Sequence, residues 1–127
     1  MKHTWKYGGA ELECDVFEPD CYEKIDLALK RLSADLSAIE YSTVNGDKNS
    51  VHDTSAKLRR NCEVIETFFD GIFGTDGRKA ALGEERNIMS LAGALASFLC
   101  YIDGEIKAMT ESGEKIKASL AERLAAL

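Results

Sequence analysis

A chain of 127 residues, 45 % hydrophobic and 30 % charged, has the size and make-up of one soluble globular domain rather than a disordered segment. It can bury a core amounting to roughly two-thirds of the surface its unfolded chain exposes. A formal net charge of −6 argues against non-specific binding to nucleic acid or to an anionic membrane, because both need clustered Lys and Arg.

The first segment reads as a β-hairpin over residues 1–17. Thr4–Tyr7 and Ala10–Phe17 flank Gly8-Gly9, a dipeptide suited to a two-residue turn with positive φ at both positions. After the turn Leu12, Cys14 and Val16 alternate with Glu11, Glu13 and Asp15, the period of a half-buried strand. Trp5 and Tyr7 join the apolar face. A lone hairpin is marginal in water, so this face must rest on helices.

The first helix is predicted over 19–42. Pro19 suits a first helical position, and Asp20 with Glu23 resembles a capping box. Its seam is Tyr22, Ile25, Leu29, Leu32, Leu36 and Ile39, alternating steps of three and four. "TVNGDKNS" then reads as a turn. A second helix is predicted over 53–73, with the seam Leu58, Cys62, Ile65, Phe69, Ile72 widened by Phe68 and Phe73; Gly74 is placed to end it. A short turn of helix follows to Leu82 and stops at Gly83.

Asn87 is placed to cap a third helix over 87–109. From Asn87 to Ile102 the chain carries no charge for sixteen residues, short of the ~20 a spanning helix needs. The central helix of a bundle, or an oligomer contact, is the preferred reading. The final stretch, 111–126, repeats the stripe with Ile116, Leu120, Leu124 and Leu127. Gly113 breaks it from the third helix or the two run on as one; the apolar phase is the same either way. The expected architecture is α+β and mostly α: one domain, 1–127, with the hairpin packed on a three- to four-helix bundle.

Little in the chain looks like chemistry. Gly71, Gly74, Gly77 and Gly83 around Arg78-Lys79 suggest a phosphate loop, but a P-loop follows a strand and continues with Lys-Ser/Thr. Here a helix precedes, and Gly77 is followed by Arg78-Lys79-Ala80. The glycines read as helix punctuation. His3 and His52 have no neighbours at triad or metal spacing and read as surface residues. Glu84-Glu85 and Glu11/Glu13/Asp15 read as solvated acids. Lys57, Arg59 and Arg60 form one basic knot without interleaved aromatics. Cys14, Cys21, Cys62 and Cys100 match no zinc pattern and read as free thiols of a reducing compartment. No catalytic, cofactor-binding or metal-binding residue is expected. Two apolar surfaces are candidates for a partner. One is the aromatic cluster of Phe68, Phe69 and Phe73 with Leu82, core by default but able to floor a groove for a partner's helix. The other is the last stripe, Ile116, Leu120, Leu124 and Leu127.

The stretches "VFEPDCYEKIDLAL" and "CEVIETFFDGIFGTDGRKAALGEERNIMSLAGALASF" carry a resemblance to a family of small phage and prophage proteins of Gram-positive bacteria. The shared pattern is a short hairpin, an acidic helix, and an aromatic helix ending in Phe-Gly, here Phe73-Gly74. A capped turn ending in a second glycine follows, here Gly83 after Leu82, where that family often has an aromatic residue, then an Asn-led apolar helix, here from Asn87. The resemblance covers most of residues 4–102 and is similar to tail assembly chaperones of long-tailed phages. It implies a non-enzymatic protein of the bacterial host cytoplasm that self-associates and binds the phage tape-measure protein before the tail tube polymerises. With the charge and the lack of motifs above, no cofactor, nucleic acid or membrane is expected as a partner. The alternatives are a structural tail completion or adaptor protein, and a small helical regulatory or ligand-binding protein.

Overall fold

A computed structural model describes residues 3–45 and 51–126, with side chains described for 3–37 and 55–126. The order is β1 (Thr4–Tyr7), β2 (Ala10–Glu13), α1 (Pro19–Asn45), α2 (Val51–Leu82) and α3 (Ile88–Ala125). This is the expected hairpin on a helical bundle, mostly α.

The hairpin turns where the sequence places it. Gly8 and Gly9 have φ of +58° and +81°, values that cost glycine little and a side chain more. The antiparallel register pairs Trp5 with Leu12 and Tyr7 with Ala10, so the apolar residues share a face. Gly8 has a second reason to lack a side chain: a Cβ there would lie 2.3 Å from the Ala81 carbonyl oxygen. The hairpin turn therefore sits directly on the end of α2.

α1 begins at Pro19, as expected, but its approach is shaped earlier. Asp15 Oδ1 accepts from the Phe17 amide at 2.9 Å, and the Asp15 carbonyl accepts from the Glu18 amide at 3.1 Å, an Asx turn five residues ahead of Asp20. The helix runs to Asn45, three residues beyond the expected end; residues 46–50 of the expected turn lie outside the described residues. Ile25, Ala28 and Leu32 are buried, while Tyr22, the first residue of the predicted seam, and Leu36, its last but one, are exposed. Ile39 lies outside the described side chains.

α2 starts at Val51, two residues before the predicted position, which puts His52 in its first turn rather than in a loop. Gly74, at φ +78° and ψ 167°, breaks the helical path inside it. The short turn to Leu82 then continues in a new direction, and Gly83 follows at φ +75°. α3 is capped by Asn87, whose Oδ1 accepts from the amides of Met89 at 2.9 Å and Ser90 at 3.2 Å. It runs unbroken through Gly104 and Gly113, so the predicted segments 87–109 and 111–126 are one helix.

α1 lies along α2, α2 packs on α3, and the hairpin bridges α2 and α3. Trp5 is the centre of the core. Its ring stacks on Tyr7, Phe69 and Phe73 at centroid distances of 5.3, 5.4 and 5.9 Å, and Phe98 meets it edge-on at 5.1 Å. These are the offset and T-shaped arrangements that the ring quadrupole favours. Its indole N–H donates to Ser97 Oγ at 3.2 Å, so the one polar atom of the ring is satisfied.

Candidate functional site

The aromatic cluster that the sequence offers as a partner surface is mostly interior. Phe69 and Phe68 are 0 % and 3 % exposed. Phe73 and Leu82 are half-buried and packed against the core. The cause is Trp5, which enters from the hairpin and packs on Phe69 and Phe73, together with Phe98, which packs on Phe68, Phe69 and Phe73. These rings serve as core, and Phe69 has no surface left for a partner.

Phe68, though buried, also borders a hollow. A groove of about 210 Å³ opens between α1 and α2, lined by Leu27, Ala28, Leu32, Val64 and Phe68, with Lys24, Arg31 and Asp35 at its edge. Leu27 is 58 % exposed on its rim. Sequence periodicity misses Leu27, because it lies midway between Ile25 and Leu29, two positions from each, and so off the α1 seam.

The second candidate surface is free of the body. Thr110 to Ala125 are exposed apart from half-buried Gly113. Ile116, Leu120 and Leu124 are 60 %, 52 % and 69 % exposed on one face of this α3 extension; Leu127 lies outside the described residues. The extension and the α1/α2 groove are separate surfaces.

The charges around the glycine stretch are internally matched. Arg78 bonds Asp70 through Nε, and its Nη1 lies 3.8 Å from Glu66. Arg86 reaches the same Glu66 at 2.9 Å and Glu63 at 3.8 Å. The hydrogen bond and charge of Glu66 raise the Arg86 guanidinium above its ordinary value. Glu66 therefore straps both the segment after Gly74 and the α2–α3 connection onto α2. The sequence does not reveal this network, since its members are spread from Glu63 to Arg86. It accounts for Arg78 without a bound anion.

Hairpin and α3 are tied by polar contacts at their far end. The Tyr101 hydroxyl donates to the Cys14 carbonyl at 2.7 Å, and His3 Nδ1 lies 2.9 Å from Glu105 Oε2. His3 is thus a tether between strand and helix rather than a free surface group. Cys14 Sγ lies 3.9 Å from Cys21 Sγ; burial, then the Cys21 thiol, push the Cys14 thiol well above its ordinary value. Burial likewise pushes the Tyr101 phenol up. Both effects favour the neutral form and make poor nucleophiles. Among the described residues no group of three or more His, Cys, Asp or Glu side chains is placed to hold a metal ion. α3 is long and apolar enough to cross a membrane by length and composition, but Leu91, Ala94, Phe98 and Ile102 of that stretch are buried against the body.

The chain belongs to a family of unknown function, DUF6673. The match runs over residues 8–125, from the hairpin turn through the end of the α3 extension. Nothing matches among curated proteins or among solved structures. The DUF6673 match thus takes in both candidate surfaces, the α1/α2 groove and the α3 extension.

Proposed function

We propose that this protein is a non-enzymatic phage tail assembly chaperone that holds apolar helical segments of the tape-measure protein before the tail tube closes around them. The single observation that carries this reading is the apolar α1/α2 groove with Phe68 in its wall and exposed Leu27 on its rim. At about 210 Å³ it is smaller than the ~300–1,000 Å³ typical of small-molecule sites. It suits one or two side chains of a docked helix instead, with Lys24, Arg31 and Asp35 able to meet the polar flank of that helix. The Phe-Gly and Asn-led pattern of the sequence supplies the identity of the client.

A tape-measure protein is long and helical and exposes apolar seams until it is enclosed. An acidic carrier with a shallow groove would cover such seams weakly and release them, acting in the host cytoplasm. Co-expression with fragments of a tape-measure protein tests the reading. The wild type should co-purify with the fragment and raise its soluble yield, and Leu27→Lys should lose both effects while the isolated protein stays folded. A wild type that neither co-purifies nor improves solubility refutes the proposal. Recovery of the protein from purified virions would mark it instead as a structural tail part.

A further inference from the structure

We propose that the α3 extension is a dimerisation arm, pairing antiparallel with the same arm of a second copy of this chain. The arm past Thr110 is ~24 Å long at ~1.5 Å per residue, and the body covers none of its large apolar residues. Isolated helices of this length are marginal, since most helical stability comes from packing an apolar face. Ile116, Leu120 and Leu124 continue the line of Phe98, Ile102, Ile106 and Met109, whose earlier members the body covers. A second helix is the cover that a stripe of this period fits.

Charge fixes the direction. Residues 103–114 hold Asp103, Glu105, Glu111 and Glu114 against Lys107, so −3; residues 115–126 hold Lys115, Lys117 and Arg123 against Glu122, so +2. Parallel arms would set like on like. Antiparallel arms set each acidic half beside a basic half, within the ~8–10 Å over which charges act at physiological salt.

The root of the arm offers a matching seat. A hollow of about 480 Å³ is lined by Val16, Pro19, Tyr22 and Met109, with Glu23 and Asp26 also lining it. Setting Met109 against Leu120 of a second copy places Gly113 opposite Ile116, small against large. It also carries the second copy's tip toward this hollow. That tip bears Leu124 beside Arg123, an apolar knob for the apolar wall and a guanidinium for the two carboxylates. The contact is isologous, each tip meeting the other copy's root, so assembly closes at two. The arm and its seat are distinct from the α1/α2 groove, so this inference stands apart from the client reading.

Sedimentation equilibrium of the full chain over low to high micromolar concentrations tests it. The wild type should be a dimer. Leu120→Asp should be monomeric with unchanged near-ultraviolet circular dichroism, since Leu120 is outside the core. Arg123→Glu should weaken the dimer about tenfold or more, and adding Glu23→Arg should restore most of the loss. A wild type that is monomeric throughout, a dimer indifferent to Leu120→Asp, or a charge swap that does not restore pairing overturns the proposal. Client capture by the Leu27 groove is read separately by co-purification, so either reading can fail alone.

Discussion

Truncating Phe98 to alanine should be the most damaging single change in this protein. Phe98 is fully buried, and its ring meets Trp5, Phe68, Phe69, Phe73 and Tyr101 at centroid distances of 5.1, 5.8, 5.6, 5.5 and 6.4 Å. Phe→Ala in a core costs about 3–5 kcal/mol, the upper end applying where neighbours cannot collapse into the void. Here the neighbours are stiff rings drawn from β1, α2 and α3, each held by other contacts, so ~4–5 kcal/mol is expected. That is a large share of a domain stability of roughly 5–15 kcal/mol. At ~2 kcal/mol per molar urea the midpoint falls by about 2 M. Trp5 is the one tryptophan of the chain and stacks in the same cluster, so its fluorescence reports the transition. Leu124→Ala, at a site 69 % exposed, should shift stability by no more than ~0.5 kcal/mol when measured at concentrations too low for self-association. Losses of similar size for the two variants would show that the aromatic cluster is not the core.

Three further outcomes follow from the same geometry. Gly8→Ala and Gly9→Ala share the ~1–2 kcal/mol cost of a left-handed backbone, but only Gly8 would also drive a Cβ against the Ala81 carbonyl; urea denaturation should find Gly8→Ala the worse by at least ~1 kcal/mol, and equal losses would place the hairpin turn elsewhere. Tyr101→Phe removes the 2.7 Å bond to the Cys14 carbonyl at a cost of ~1 kcal/mol. The folded state holds the Tyr101 phenol proton more tightly than the unfolded chain, so this contribution is complete below about pH 10 and is lost as pH rises beyond it. A pH series of unfolding free energies should therefore show a flatter alkaline limb for Tyr101→Phe, with the remainder due to Cys14, whose thiol is also pushed up; an unchanged limb would refute the assignment. With an aromatic disulfide reagent, exposed Cys100 should react at once, half-buried Cys21 more slowly, and buried Cys14 and Cys62 only as the chain opens; a Cys62 as fast as Cys100 would contradict its burial between α2 and its neighbours.

What the sequence reveals of the fold is what local physics determines. Gly8-Gly9 predicts a turn because only positive φ closes so short a connection. Gly74 and Asn87 predict a helix break and a cap for equally local reasons, and all three are found. What it conceals depends on neighbours far along the chain. Trp5 is legible as one apolar strand residue, yet its place among rings from β1, α2 and α3 requires the tertiary fold. The Glu66 strap on Arg78 and Arg86 is hidden for the same reason. Of the candidate surfaces, Phe68 and Phe69 read as core by default, yet a groove floor stays open to them, since an amphipathic seam does not say how many elements cover it. Leu27, on the rim of the groove, is off the seam and gives no periodic signal at all.

α3 makes that last point within one helix. Its apolar period runs unchanged from Leu91 to Leu124, and glycine at 104 and 113 leaves the phase intact. Over the first half the hairpin and α2 bury the stripe to 4 % exposure or less at Leu91, Ala94, Phe98 and Ile102; over the second half the same stripe is more than half exposed at Ile116, Leu120 and Leu124. The body ends because its other elements end. β1 is four residues long, and Gly74 turns the last segment of α2 back under the hairpin turn, where Gly8 meets Ala81. The glycine stretch that resembles a phosphate loop is thus the joint that closes the body early. Closing it early leaves the far half of α3 uncovered, although the apolar pattern of the sequence continues along it with its phase unchanged.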